Sequence, residues 1–201
     1  MSMQSDIWAV SPTTNAVYYR AVAASAGSVA LVLLQSTAGS NGIGYKVSIT
    51  TVGNSSGRTF TIVGHAMGTA TGIVTTEVVT GPNATTVYST NYFDTITSIT
   101  PSGATTGDLS IGVLGTSVAL PRCRIKNVYY VGTATAGSVK VNLNNASTGR
   151  LLLQVDTPAS ATVANNAFIP QDGILVGGSS ALTDIGIVTL TNVTFSTIMC
   201  G

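Results

Sequence analysis

Charge is scarce in this chain. Lys and Arg total 8 and Asp and Glu 7 in 201 residues, so 7% of positions are charged and the net charge is +1. A soluble domain usually carries about 25%. A balance this close to zero gives no long-range field with which to steer nucleic acid or a membrane surface. Histidine and cysteine are almost as rare: one of the first, His65, and two of the second, Cys123 and Cys200. A Ser-His-Asp or Cys-His site would need His65 as its base. In "VGHAMG" that residue reads as an ordinary polar position at a hairpin tip. Zinc sites built on Cys and His take about four ligands, and these residues stand at unrelated positions. Glu77 is the sole glutamate and the aspartates are scattered singly, so a paired-carboxylate hydrolase site would need long-range convergence. "GSNGIG" (39–44) has no Gly-Lys-Ser/Thr after it and reads as a turn with positive-φ positions rather than a phosphate loop. No calcium loop is present, because acidic oxygens are not clustered. The expectation is a protein without catalytic residues, cofactor or metal.

Long apolar runs are also missing. The nearest, "SVALVLL" at Ser28–Leu34, falls far short of the roughly 18 residues of a membrane helix. "MSMQSDIWAV" lacks a basic region followed by an apolar core, so no secretory signal is expected. The Asn-X-Ser/Thr matches at Asn54, Asn83, Asn145 and Asn192 then read as chance in a Ser/Thr-rich chain. Reduced thiols follow from the same compartment argument. A Cys123–Cys200 bridge would require the C-terminal strand to lie beside the one holding Cys123.

What is abundant points to β structure. Hydrophobic residues make up 44% of the chain and the mean hydropathy is +0.43, which argues against disorder. Apolar residues alternate in short runs broken by Gly, Ser, Asn and Pro. In "GYKVSITTV", Tyr45, Val47 and Ile49 share one side, with Lys46, Ser48 and Thr50 on the other. In "RTFTIVG", Phe60 and Ile62 oppose Thr59, Thr61 and Val63. "GIVTTEVVTG" after "HAMGTATG" completes a hairpin. "TTVYSTNYFDTITSITPSG" supplies one or two strands, and "DLSIGVLG" closes the first half. Six further candidates follow, from "RIKNVYYVG" to "FSTIMCG". Thr and Val dominate them, and both are stiff and β-favouring.

The chain repeats itself. Val17-Tyr18-Tyr19 and Ala26-Gly27-Ser28-Val29 have counterparts in Val128-Tyr129-Tyr130 and Ala136-Gly137-Ser138-Val139. The repeat reads either as biased composition or as two β domains that open alike. The expected organisation is an N-terminal arm at 1–14, one β domain at 15–116 and a second at 117–201, with the boundary near Gly115–Pro121. The fold class is all-β: one or two antiparallel sandwich-like or jelly-roll-like domains with an extended N-terminal arm.

Two places stand out as partner surfaces. Arg122, Arg124 and Lys126 alternate with Cys123, Ile125 and Asn127, so a strand puts three cations on one face. That face is either a dock for an acidic partner or a solvated strand face, which would also guard a sheet edge. Ile7 and Trp8 lie in the N-terminal segment. Trp8, the one tryptophan, either staples the arm to its own domain or anchors in a neighbour, as interface tryptophans do.

The run Thr75–Gly112, "TTEVVTGPNATTVYSTNYFDTITSITPSGATTGDLSIG", resembles the β modules of tailed-bacteriophage virion proteins, particularly small ones from marine phages. The shared features are a Thr-Glu-hydrophobic strand, a Gly-Pro-Asn turn, a Ser-Thr-aromatic strand, "TITSITPSGATTG" and a short closing strand. "VYYVGTATAGSVKVNLNNASTGRLLLQVDTP" is similar in style, so the likeness spans roughly the last two-thirds of the chain. The resemblance implies a virion structural protein, assembled in the host cytoplasm, and carries over no catalytic residue. A capsid decoration protein bound to the major capsid protein in many copies is the expected role. A tail or fibre accessory protein that binds a receptor or glycan, with Tyr18, Tyr19, Tyr129 and Tyr130 as its surface, is the alternative. Neither nucleic acid nor membrane is an expected partner.

Overall fold

The computed structural model describes residues 6–10, 20–22, 27–36, 42–144, 148–159, 164–169, 172–176 and 185–200. Every regular element among them is a β-strand, and the strands pair in antiparallel sheets, as β1–β14, β8–β14, β9–β10, β4–β5 and β4–β6 do. The protein is all-β, as the alternating pattern predicts. The chain divides into two compact units, one of Thr14–Ser40 with Gly44–Leu114, the other of Met1–Thr13, Asn41–Ile43 and Gly115–Gly201.

The first unit contains β2 (Arg20–Val22), β3 (Gly44–Thr51), β4 (Thr59–Ala66), β5 (Thr75–Thr80), β6 (Thr86–Pro101) and the first half of β7 (Leu109–Leu120). Its sheet runs β5-β4-β6-β3-β7, with β2 also on β7. Phe60, Ile62, Phe93, Ile96, Ile99, Leu109 and Ile111 are fully enclosed and form the core, and Leu31 packs onto it. Phe60 and Ile62 face inward while Thr59, Thr61 and Val63 are half-buried, as expected from their alternation. The β4–β5 hairpin is present, with Thr59 opposite Thr80 and Gly64 opposite Thr75. Residues 86–101 form a single 16-residue strand.

The sole glutamate has a structural task. The register between β3 and β6 slips between Lys46 and Ser48, which leaves Ser89–Asn91 bulged. The Ser89 hydroxyl accepts the Val47 N–H and donates to the Asn91 carbonyl. Glu77 on β5 accepts the backbone N–H groups of Thr90 and Asn91 and the Asn91 side-chain amide. Because Glu77 stands opposite the enclosed Ile62, it points toward the core side of an edge strand, a placement that also discourages edge-to-edge association. Glu77→Ala removes the acceptor of three solvent-exposed donors that water can then satisfy, and is expected to lower stability by about 1 kcal/mol, read as a shift in the urea midpoint at unchanged m.

The second unit contains β1 (Asp6–Val10), the second half of β7, β8 (Cys123–Gly132), β9 (Gly137–Leu143), β10 (Leu151–Thr157), β11 (Ala164–Phe168), β12 (Ile174–Val176), β13 (Gly186–Thr191) and β14 (Val193–Cys200). One sheet runs β1-β14-β8-β11, with β12 also on β8; the other runs β10-β9-β13-β7. The two sheets pack as a sandwich. A Cβ on Gly186 of β13 would meet the side chain of Val176 on β12, so glycine there lets one sheet approach the other without displacing that side chain.

The chain divides between Leu114 and Gly115, beside the boundary expected near Gly115–Pro121; the division falls inside β7, whose Ser117–Leu120 pair with β13. Burial on both faces holds that stretch in the sheet, where Val118, Ala119 and Leu120 are fully enclosed. The N-terminal segment, read as an arm with no partner strand, contains β1, which pairs with β14 from Asp6 opposite Cys200 to Val10 opposite Ser196. Arg20–Val22 is strand, paired with β7. The first copy of the repeat, Val17-Tyr18-Tyr19, lies outside the described residues.

Candidate functional site

The most chemically distinctive place in the first unit is built by irregularities in β6. Opposite β4, Val63 faces Ser98, Gly64 faces Ile96, His65 faces Thr95 and Ala66 faces Phe93. Thr97 and Asp94 are therefore each left over, one at each of two β-bulges. A bulge bends the strand and re-aims a side chain. Here the two bulges keep Phe93, Ile96 and Ile99, spaced by three, on the same buried side, and turn Asp94 and Thr97 toward a groove. Its walls are Gly64, His65, Asp94, Thr95 and Thr97 on one side and residues 71–74 of the β4–β5 connection on the other, around a volume of about 380 Å³. The connection is shaped by its own bonds. Met67 N–H donates to Tyr92 O at 2.7 Å, the Thr69 N–H and hydroxyl both donate to Ala66 O, and Ile73 N–H donates to Ala70 O. Gly68 and Gly72 take φ of 85° there, a region favouring glycine.

His65 Nδ1 lies 2.9 and 3.0 Å from the two carboxylate oxygens of Asp94. Their side chains are 26% and 21% exposed. A carboxylate only accepts, so Nδ1 carries the proton in this pair. Nε2 is enclosed and has no hydrogen-bond partner. Imidazole in a catalytic relay takes a proton at Nε2 from a nucleophile; in this conformation neither nucleophile nor solvent reaches that atom. Sequence reading places His65 at a hairpin tip. It lies instead inside β4, because the strand continues to Ala66 and its ring is held by a bulged residue that alternation alone does not reveal. The signal was present in the three-residue spacing of Phe93, Ile96 and Ile99. Among the described residues no group of three or more His, Cys, Asp and Glu is placed to hold a metal ion.

The basic run lies in the second unit. Arg122 and Arg124 are exposed, Lys126 is half-buried and Ile125 is enclosed, so the alternation is realised. Arg124 Nη1 donates to the Asp172 carbonyl at 3.0 Å, and Leu175, 37% exposed, stands opposite Arg124. The edge-guarding alternative is corrected: β8 is an interior strand, flanked by β14 on one side and β11 and β12 on the other. Ile7 and Trp8 belong to β1, where their backbones face Met199 and Ile198. β14 does lie beside β8, but Cys200 is opposite Ile125 and Cys123 opposite Val176. No disulfide joins them. Tyr130 is buried and Tyr129 half-buried, so this pair offers little aromatic surface; Tyr18 and Tyr19 lie outside the described residues. Asn54 and Asn192 serve turns: Asn54 Oδ1 accepts from the Ser56 backbone and hydroxyl, and Asn192, at φ 49°, donates to Ala136 O.

The fold and these sites define an all-β protein of antiparallel sheets and sandwich-like construction. No family model, no curated protein and no solved structure matches the chain. No helix among the described residues is long and apolar enough to cross a membrane.

Proposed function

We propose that this chain is a non-enzymatic structural component of a tailed-phage virion, a capsid decoration protein that binds the major capsid protein in many copies. The observation that carries this reading is the cationic face at the start of β8. Arg122 and Arg124 are two of only 8 basic residues. Both are exposed, and the ion pair found among the described residues joins His65 and Asp94 instead. Two guanidinium groups without a carboxylate partner, beside the half-exposed Leu175, suit an acidic protein surface, where Arg is the favoured cation. Repetition on a lattice turns a modest single contact into strong attachment. The resemblance of Thr75–Gly112 to virion β modules supports the same role, and Ile7 and Trp8 on the edge strand β1 supply a second contact.

The test is cosedimentation of purified protein with particles that lack it. The double variant Arg122→Glu, Arg124→Glu alters exposed positions, so the fold is expected to persist by circular dichroism while attachment falls at least about tenfold, equivalent to a loss of about 1.4 kcal/mol. Full attachment by the double variant would overturn the reading. Localisation of bound protein on the tail alone would move it to a tail accessory role.

A further inference from the structure

We propose that the groove between the two bulges of β6 and the β4–β5 connection is a binding site for a small neutral saccharide. The inference rests on what the groove offers and what it lacks. Its size, about 380 Å³, lies in the range of small-molecule sites, roughly 300–1,000 Å³. Among the described residues no Lys or Arg lines it, and Asp94 does, so anionic ligands such as phosphates or carboxylates are repelled rather than held.

The remaining choice is between an amine and a neutral donor. Asp94 is already bonded through both oxygens to His65 Nδ1, and among the described residues no second carboxylate or aromatic ring lines the groove to complete a cation site. Each oxygen still has acceptor capacity. A ligand hydroxyl can donate to it without bringing a charge that must be buried. The hydroxyls of Thr71, Thr95 and Thr97 add groups that both donate and accept. Ile73 and Val74, 54% and 65% exposed, give the opposite wall an aliphatic surface for the C–H face of a sugar ring. Donor-rich edges with an apolar face are the chemistry of a pyranose.

Each piece has a defined role. Asp94 accepts from ligand hydroxyls. Thr97, exposed at its own bulge, contacts a second hydroxyl. His65 is a positioning residue: its Nδ1–H fixes the Asp94 carboxylate, and its enclosed Nε2 faces no ligand. Gly64 keeps β4 close to β6, because a Cβ there would clash with the Thr95 carbonyl.

Ligand-observed saturation-transfer NMR on the full chain tests the site, with glucose, galactose, mannose, rhamnose and N-acetylglucosamine as separate probes and ethanolamine as the cationic control. The expected result is transfer to ring protons of at least one sugar and none to ethanolamine. Asp94→Asn is expected to weaken that sugar by about tenfold, the loss of one charge-assisted hydrogen bond. Thr97→Val, at an exposed position that leaves the core untouched, is expected to weaken it by a smaller factor and serves if Asp94→Asn does not fold. Transfer to no sugar, transfer to ethanolamine alone, or sugar binding indifferent to a folded variant at Asp94 or Thr97 would each overturn the proposal.

Discussion

Gly64→Ala is expected to destabilise the first unit by about 3 kcal/mol, at the upper end of overpacking effects. The reason is the nature of the obstacle. An added Cβ would meet the carbonyl oxygen of Thr95 and the Cα of Ile96, both backbone, in a strand paired on that side to β4 itself. Neither can move without breaking the ladder that carries the Asp94 and Thr97 bulges. Gly186→Ala provides the contrast. There the obstacle is Val176 Cγ1, the end of a side chain, which can rotate at a cost on the order of 1 kcal/mol. Urea unfolding of both variants measures the difference. Gly64→Ala is expected to have the clearly lower midpoint and, where folded, a changed His65 imidazole NMR signal, because the strand that holds Asp94 has shifted. Equal midpoints would mean that β6 yields more readily than a paired strand should.

Phe60→Ala is expected to cost about 4 kcal/mol, within the 3–5 kcal/mol typical of a lost core aromatic. Phe60 is fully buried and stands opposite Val79 on β5 and Pro101 on β6. Its ring also lies against the turn after β5, since its Cε2 sits about 3.1 Å from where a Gly81 Cβ would be. Truncation thus empties the place where three strands and a turn meet, and little can collapse into it. With ordinary domain stability of about 5–15 kcal/mol, this removes a large share of the total. Val78→Ala on the same edge is the control. Val78 is 61% exposed, so the change should stay within about 0.5 kcal/mol. Thermal melts of the two variants separate them, and a Phe60→Ala melt within a few degrees of the parent would contradict the assignment of the core.

The alternation of Phe60 and Ile62 with Thr59, Thr61 and Val63 was readable in the sequence because side chains on a strand alternate with period two and one face must leave water. The same logic placed Ile125 inward and Arg122 and Arg124 outward. The all-β class followed from many such runs, rich in Thr and Val. The local rule fails where the period is broken. Phe93, Ile96 and Ile99 share a face only because Asp94 and Thr97 are bulged, and a bulge exists only in relation to a partner strand. For that reason His65 read as a turn residue, and its bond to Asp94, 29 positions away, had no local sign. Glu77 likewise acquires its role from the bulge at Ser89–Asn91. The pairing of β1 with β14 joins residues near opposite ends of the chain, and no local pattern encodes that distance. Composition and periodicity determined that the chain forms antiparallel strands and which face of most of them is dry. Register, which a single extra residue resets, was decided by tertiary pairing, and with it the groove, the His65–Asp94 contact and the interior position of the basic strand.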